Sequence, residues 1–148
     1  MKISTKGRYG LRAILDLAIY SRGEHMPLKN IAERQSISES YLEQVFAMLK
    51  KAGLVSSIKG SQGGYVLAKE AVEITVGDIL RAMEGELTVT DKKHEADSCK
   101  NRLEVCITNE VWNKMDLAVN SLIDKITLED LLEEYSNLSS EDAYMFFI

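Results

Sequence analysis

Polar side chains suited to hydrogen bonding with the edges of DNA bases lie along one short segment of the chain. Ser40, Glu43 and Gln44 recur at helical spacing, and Lys59 with a glycine-rich stretch follows in residues 60–64. A glutamine can pair bidentately with adenine, a carboxylate can accept from the N4 amino group of cytosine, and a lysine can neutralise a phosphate. This set of residues favours recognition of a duplex over catalysis.

The neighbouring residues predict a helix that presents these side chains. Ser38 and Ser40 both offer capping hydroxyls, and Ser40 with Glu43 fits a capping box. Gly53 ends the helix, after lysines that suit its carbonyl end. The apolar residues recur at helical spacing and leave the polar ones on other faces. These apolar residues are Leu42, Val45, Phe46 and Leu49.

A hairpin is predicted directly after that helix. Residues 54–58 and 65–67 are β-prone, and the glycines of 60–64 turn between them. A helix followed by a basic hairpin is how a winged helix-turn-helix places one helix in a major groove and a wing on the backbone. The segment is therefore predicted to bind DNA.

Charge is segregated along the chain. The net charge is −5, but residues 1–70 hold 11 Lys and Arg against 6 Asp and Glu, whereas residues 71–148 hold 7 against 17. A basic front half and an acidic rear half suit a nucleic-acid-binding part and a partner-binding part. Surface charge placed for solubility alone is the alternative, and it would not by itself separate the signs.

Composition excludes several classes of protein. With 148 residues, 45% of them hydrophobic and a single proline, the chain is expected to be globular and rich in helices. No apolar run is long enough to span a membrane, and Arg8, Arg12 and Asp16 interrupt any signal-peptide core. Two cysteines are too few for a secreted disulfide framework, so a cytoplasmic location is expected. No nucleophile–base or paired-carboxylate arrangement indicates an enzyme.

Two helices are predicted to precede the DNA-reading segment. The first covers residues 5–22, is capped by Ser4 and is apolar on more than one face, so it is expected to be buried on two sides. The second covers residues 28–34. The cations at the start of the first helix are either a solvated helix end or phosphate contacts. They are Lys2, Lys6 and Arg8.

The rear half contains a predicted loop between helices. Residues 75–78 cap a short helix over 76–84, and Gly85 ends it. Residues 86–106 show no periodicity, which predicts a long loop. The residues of that loop with ligand or redox chemistry are His94, Cys99 and Cys106.

Helical spacing returns in residues 107–125, where Val111, Met115, Ala118 and Leu122 form an apolar stripe. The stripe either packs on the same domain or forms a dimer seam, and a palindromic DNA site favours the dimer. A last short helix over 128–135, a polar linker over 136–140 and an apolar tail complete the prediction. The expected division is thus 1–85 for DNA binding, 86–106 for sensing, 107–135 for dimerisation and its following helix, and 136–148 for the tail.

Several motifs together resemble one family. The stretches STKGRYGLRA, IAERQSISESYLEQVF, GLVSSIKGSQGGYVLA and ITVGDILRAMEG are similar to those of the Rrf-two type of bacterial transcriptional regulators. The resemblance covers nearly the whole chain and is most specific in the first 85 residues. It implies a mainly α fold with a small β-wing, that is, a winged helix-turn-helix domain followed by a long C-terminal dimerisation helix.

The resemblance also implies which residues contact DNA. On the recognition helix, Ser40, Tyr41 and Gln44 match groove-facing positions, and Glu43 matches a glutamate that restricts the accepted bases. Lys59 matches a wing position that reaches the minor groove or the backbone. The complete predicted DNA-binding set is Lys2, Lys6, Arg8, Ser38, Ser40, Tyr41, Glu43, Gln44, Lys59, Gly60, Gln62 and Gly63.

The cysteines leave the sensing chemistry open. Relatives with an iron–sulfur cluster, such as a 2Fe–2S centre, use three loop cysteines and sometimes a histidine. Here Cys99 and Cys106 match the second and third cysteines, the first is missing, and Asn109 stands where that histidine would be. His94, an acidic residue of the loop or the partner subunit would have to complete the usual four ligands. Cluster binding, reversible thiol oxidation and two unused thiols all remain open.

The tail resembles that of relatives that lack the cluster and repress cysteine metabolism. Those repressors associate with cysteine synthase, which accepts peptides ending in isoleucine. The resemblance implies a homodimeric repressor of sulfur, cysteine or iron–sulfur metabolism. The alternatives are a redox or iron–sulfur sensor that uses Cys99 and Cys106, and an interaction module whose tail docks into that enzyme. A tail folded onto its own dimer is the alternative to docking. The tail residues are Tyr144, Met145, Phe146, Phe147 and Ile148.

Overall fold

The computed structural model describes residues 1–91 and 101–146 of the chain. Within these residues the structure is mainly helical, with one antiparallel sheet of two strands. No helix in the described ranges has the length and apolar character needed to cross a membrane. The elements are α1 (Thr5–Tyr20), α2 (Leu28–Gln35), α3 (Glu39–Lys51), β1 (Val55–Ile58), β2 (Gly64–Leu67), α4 (Val76–Glu84), α5 (Arg102–Ile107), α6 (Asn113–Lys125) and α7 (Leu128–Phe146). A 3-10 turn, Ala71–Glu73, precedes α4, and a π-helical turn, Thr108–Trp112, joins α5 to α6.

The hydrophobic core forms where α1 meets α2, α3 and α4. The four apolar positions expected on α3 are all fully buried, which confirms the helical spacing that the sequence predicts. The start of α7 closes the same core through Leu128. The largest fully buried side chains are Phe46, Ile14, Leu17, Ile31, Leu42, Leu49, Ile74, Ile79, Leu128 and Val45.

A buried ion pair attaches α2 to α1. The Asp16 carboxylate, only 2% exposed, accepts from Arg34 Nη2 at 2.8 Å and Nε at 3.1 Å, and from Gln35 Nε2 at 2.7 Å. The hydrogen bond to Asp16 raises the pKa of Arg34. A buried carboxylate is tolerated only with such partners, because its lost hydration must be replaced. The pair therefore fixes where α2 sits.

A second ion pair joins α4 to α6. Arg81 Nη1 lies 2.8 Å and Nη2 2.9 Å from the two carboxylate oxygens of Asp124, and Nη2 also donates to Asn120 Oδ1 at 2.9 Å. Gly77 of α4 leaves the space for this contact, since a Cβ there would overlap the Asp124 carboxylate. The hydrogen bond from Arg81 lowers the pKa of Asp124.

Capping boxes form at two helix starts, and the predicted cap of α4 is confirmed. Thr75 and Asp78 form a reciprocal capping box at α4, and Gly85 follows its last residue. Thr127 and Asp130 do the same at α7, with N–O distances of 2.9 and 3.1 Å. These reciprocal bonds satisfy backbone donors that a helix start leaves without partners.

Two segments predicted to be irregular are helical. Helix α5 occupies the end of the predicted 86–106 loop, and Asn101 caps it by accepting from the Leu103 amide at 3.0 Å. Helix α7 runs through the predicted 136–140 linker instead of ending near residue 135. Both predictions were wrong because residues 102–106 and 136–140 are exposed and bury no apolar stripe in their own domain. In addition, α7 contains no glycine or proline to stop it.

The Asp124 ion pair predicts a pH-dependent contribution to stability. Since folding lowers the pKa of this carboxyl, its contribution is present above the unfolded pKa of about 3.9 and is lost as the pH falls through the folded value. We expect Asp124→Asn to lower the free energy of unfolding by up to about 1 kcal/mol at pH 7, because both partners are partly exposed. Urea denaturation at pH 7 and pH 3 should show the difference shrinking at pH 3.

The matched control is Glu134→Gln, which also removes one exposed carboxylate from the rear half, away from the helix start. It should leave the free energy of unfolding nearly unchanged at both pH values. An Asp124→Asn effect of the same size at pH 3 and pH 7 would contradict the assignment.

Candidate DNA-binding surface

The recognition helix α3 begins two residues earlier than the predicted capping box requires. Ser38 is the cap, because its Oγ accepts from the Tyr41 amide at 3.2 Å and the helix starts at Glu39. The predicted box between Ser40 and Glu43 is therefore wrong. Its physical reason is that Ser38 has the extended backbone of a cap, φ −63° and ψ 142°, which places Ser40 inside the first turn.

This start of α3 brings the predicted base-reading side chains together. Ser40, Glu43 and Gln44 are all exposed along the outside of α3, whereas Tyr41 is half-buried. With Ser38 capping the helix, the Ser40 hydroxyl is not required at the helix end. The outer face of α3 thus offers a hydroxyl, a carboxylate and a carboxamide, which suits hydrogen bonding to base edges.

The wing follows α3 as predicted, with its hairpin tip pointing into solvent. Val55 pairs with Leu67, and the register runs to Ile58 opposite Gly64. The tip is closed by the Gly63 amide, which donates to the Gly60 carbonyl at 3.0 Å. The predicted wing contacts that are exposed are Lys59, Gly60 and Gln62, while Gly63 is half-buried.

The base of the wing is anchored to the connection between α1 and α2. Tyr65 and Met26 exchange two backbone hydrogen bonds of 2.8 Å each, so β2 carries a bridge on its other edge. Gly64 makes this approach possible: a Cβ there would overlap the Met26 carbonyl, and its φ of +153° is unusual for other residues. Gly64 is therefore required for the backbone contact between the wing and the α1–α2 connection.

Two side-chain contacts hold the wing against α3. The rings of Phe46 and Tyr65 lie 4.9 Å apart between centroids. Lys50 Nζ donates to Ser57 Oγ at 2.7 Å, which links the end of α3 to β1. Sequence reasoning assigned Lys50 to the helix end and missed this link. No local pattern would have shown it, since the contact depends on how the strand folds back.

The predicted N-terminal cations lie before and in the first turns of α1. Ser4 caps the helix, as predicted, by accepting from the Gly7 amide at 3.2 Å. Lys2 and Arg8 are exposed and Lys6 is half-buried. Arg8 Nη2 donates to Thr5 Oγ1 at 3.2 Å. Their role as phosphate contacts stays a prediction.

The cysteine chemistry is only partly within the described residues. Cys106 is exposed in α5, two residues before the π-helical turn that contains Asn109, whereas His94 and Cys99 lie outside the described residues. The described residues contain no group of three His, Cys, Asp or Glu side chains arranged for a metal. With two cysteines in the sequence, the donor set of one chain does not fit a cluster held by four thiolates.

The tail is a continuation of α7 in this structure. Tyr144, Met145 and Phe146 form its last residues, and Met145 is 74% exposed. Phe147 and Ile148 lie outside the described residues. The docking role of the tail stays a prediction.

Comparison with known proteins identifies the family. The model of the Rrf2 family, described as an iron-dependent transcriptional regulator, matches residues 3–134. The chain belongs to the Rrf2 family. It is similar to the HTH-type transcriptional regulator CymR of Bacillus subtilis, with 42% identity over 148 residues and full coverage of both chains. It is also similar to IscR of Vibrio atlanticus, with 40% identity over 142 residues, 96% of this chain and 81% of that one.

A solved structure extends the similarity to three dimensions. The structure of CymR, described as the global cysteine regulator of B. subtilis, superposes with a TM-score of 0.72 at 41% identity, covering 90% of this chain and 98% of that one. These similarities confirm the winged-helix fold and the prediction of a DNA-binding transcriptional regulator. They also confirm that the chain belongs among regulators and not among enzymes.

Proposed function

We propose that this Rrf2-family regulator is a homodimeric repressor that binds a palindromic operator. The observation that carries the proposal is the exposed polar face of α3, with the wing held beside it by Lys50 and Tyr65. In this arrangement α3 enters the major groove and the wing lies along the backbone or in the minor groove. The base-reading residues are Ser40, Tyr41, Glu43 and Gln44, and Ser38 lies at the start of the same helix.

Cations around α3 supply affinity that does not depend on sequence. Lys59 at the wing tip and Arg8 at the start of α1 are exposed, as phosphate contacts must be. Lys2 and Lys6 extend this basic region, and Gly60 and Gly63 keep the wing narrow. Glu43 has the opposite effect, because its carboxylate repels phosphates and accepts from cytosine N4. The combination favours specific over unspecific binding.

The division between base reading and phosphate contact is testable by substitution. Gln44→Ala should cost about 1–3 kcal/mol on the cognate duplex and little on an unrelated one. Lys59→Ala should weaken binding to both duplexes and flatten the dependence of affinity on salt, because it removes phosphate contacts. Fluorescence anisotropy over a salt series measures both. Equal, salt-insensitive losses for the two variants would overturn the division.

Dimerisation is supported by the two apolar faces of α6. Ile123 is buried against its own domain. On another face Met115 and Leu122 are 44% and 60% exposed, with Ala118 exposed between them. A continuous apolar stripe that a single chain leaves in water usually marks a contact surface. A second copy of α6 matches this stripe and supplies the two-fold symmetry that a palindrome requires.

The dimer is tested by placing charge in the stripe. Met115→Asp with Leu122→Asp would bury unpaired carboxylates, each at a cost of several kcal/mol, so the protein should sediment as a monomer. Since both positions are exposed in one chain, the circular dichroism of the variant should remain helical. Ser121→Asp, exposed on a different face of α6, is the control and should leave a dimer. If the double variant still sediments as a dimer, the dimer contact lies outside this stripe.

Sulfur or cysteine metabolism is the proposed regulatory context. The support is the end-to-end similarity to CymR, whose structure is described as that of a global cysteine regulator, together with a donor set of two cysteines. Action on an operator places the protein in the cytoplasm. The alternative is a redox or iron–sulfur sensor that uses Cys99, Cys106 and His94, which is favoured by the similarity to IscR.

A second proposed function is docking of the tail into cysteine synthase. The specific observation is that α7 is exposed throughout residues 136–143 and ends in an apolar sequence. An exposed apolar side chain near the end of the helix, as for Met145 at 74% exposure, suits insertion into an apolar pocket. Docking of this kind would block the enzyme and connect operator binding to its substrate.

The docking proposal is tested by shortening the tail. Deleting Phe147 and Ile148 should abolish the complex with purified cysteine synthase, because those residues would fill its pocket, while operator affinity of the free protein stays unchanged. Ser139→Ala, exposed on the same helix, is the control and should retain the complex. Size-exclusion chromatography measures complex formation. An intact complex after the deletion, or no complex with the full chain, would reject the proposal.

A further inference from the structure

The ring of Tyr41 is held by a residue outside the recognition helix. Tyr9 of α1 packs against it edge-to-face, with ring centroids 5.8 Å apart and planes at 82°. Aromatic pairs of this geometry are favourable beyond the area they bury. The direction in which Tyr41 leaves α3 is therefore set in part by α1.

Tyr9 contacts a cation as well as Tyr41. The guanidinium carbon of Arg12 lies 5.1 Å from the Tyr9 ring centroid and over the ring, which is cation–π geometry. Tyr9 therefore contacts both the Arg12 guanidinium and the Tyr41 ring. This sequence of contacts, from Arg12 through Tyr9 to Tyr41, connects the outside of α1 to the base-reading face of α3.

The packing of α1 leaves Arg12 available for a further contact. Ala13, Ile14 and Leu17 turn to the core, which leaves Arg8 and Arg12 one turn apart on the exposed side. In the described part of the chain no carboxylate forms an ion pair with either arginine. The acidic residue of α1, Asp16, is buried and bonded to Arg34 instead.

We propose that Arg12 contacts the DNA backbone beside the point where Tyr41 enters the groove, and that Tyr9 is the positioning residue for both. An arginine fork binds a phosphate with two hydrogen bonds, and a ring beneath it limits its rotamers before DNA arrives. The inference rests on the proposed role of α3 and adds α1 to the DNA-binding surface.

Arg12→Gln tests the phosphate contact. On a duplex enriched by in vitro selection with the wild-type protein, and on an unrelated duplex, binding should weaken in parallel. The slope of log affinity against log salt should fall in magnitude by about 0.9 per bound protomer. The loss of affinity relative to the wild type should therefore become about 3-fold smaller per protomer between 50 and 200 mM salt. Arg102→Gln, which removes an exposed arginine from α5, should keep the wild-type slope.

Tyr9 variants test the positioning role. Tyr9→Leu removes the ring that contacts both neighbours, so the preference for the selected duplex over the unrelated one should fall together with the salt slope. Tyr9→Phe keeps the ring and should restore both. Thermal unfolding of each variant separates folding from binding.

The results have distinct meanings. An Arg12→Gln variant with lowered thermal stability but an unchanged salt slope would show that Arg12 only covers the Tyr9 ring, and would overturn the inference. Unchanged duplex preference in Tyr9→Leu would overturn the positioning role. If Gln44→Ala leaves the preference of the wild type intact, the proposed role of α3 fails first, and the inference fails with it.

Discussion

The buried carboxylate of Asp16 is the constraint on which the DNA-binding half of the molecule depends. This carboxylate accepts hydrogen bonds from Arg34 and Gln35, which both lie at the end of α2. These bonds set the direction in which α2 leads into the turn before α3. A charge that is 2% exposed cannot be left without these donors, because no water replaces them. Helix α2 is therefore held in one position on α1, and the recognition helix follows from it.

The same arginine extends the connection to the rear half. Its guanidinium stacks over the Tyr20 ring, 4.2 Å from the centroid, and the Tyr20 hydroxyl lies 3.3 Å from that of Tyr135 on α7. The hydrogen bond with Tyr135 raises the pKa of Tyr20. Contacts thus run without interruption from the helix that carries the tail to the helix that precedes α3. The path from α7 to α2 therefore consists of the Tyr135 and Tyr20 side chains and the Arg34 guanidinium.

Helix α1 is the element common to these arrangements. Its buried side forms the core, Asp16 holds α2, and Tyr9 supports Tyr41 on α3. The wing depends instead on β2, which is tied to Met26 by backbone bonds and to Phe46 by ring contact. The DNA-binding surface is consequently assembled from parts far apart in sequence, and its rigidity comes from contacts beneath it. Among the described residues of α6 and α7, only Ile123 and Leu128 are buried, and exposed apolar side chains of this kind are typical of contact surfaces. The exposed apolar residues of these two helices include Leu117, Leu122 and Leu138.

The sequence by itself determined the elements whose side chains alternate between core and solvent. The spacing of Leu42, Phe46 and Leu49, the turn glycines of the wing and the capping box at Thr75 are local signals, and each was confirmed. Only the tertiary structure decided which serine caps α3, and that α5 and α7 are helical in segments that bury no apolar stripe. It also showed that Lys50 and Tyr9 support the DNA-binding surface. The physical reason is that hydrophobic periodicity marks the apolar face of an element, whether the chain's own core covers that face or not. It carries no information about segments without such a face or about contacts between residues that only folding brings together.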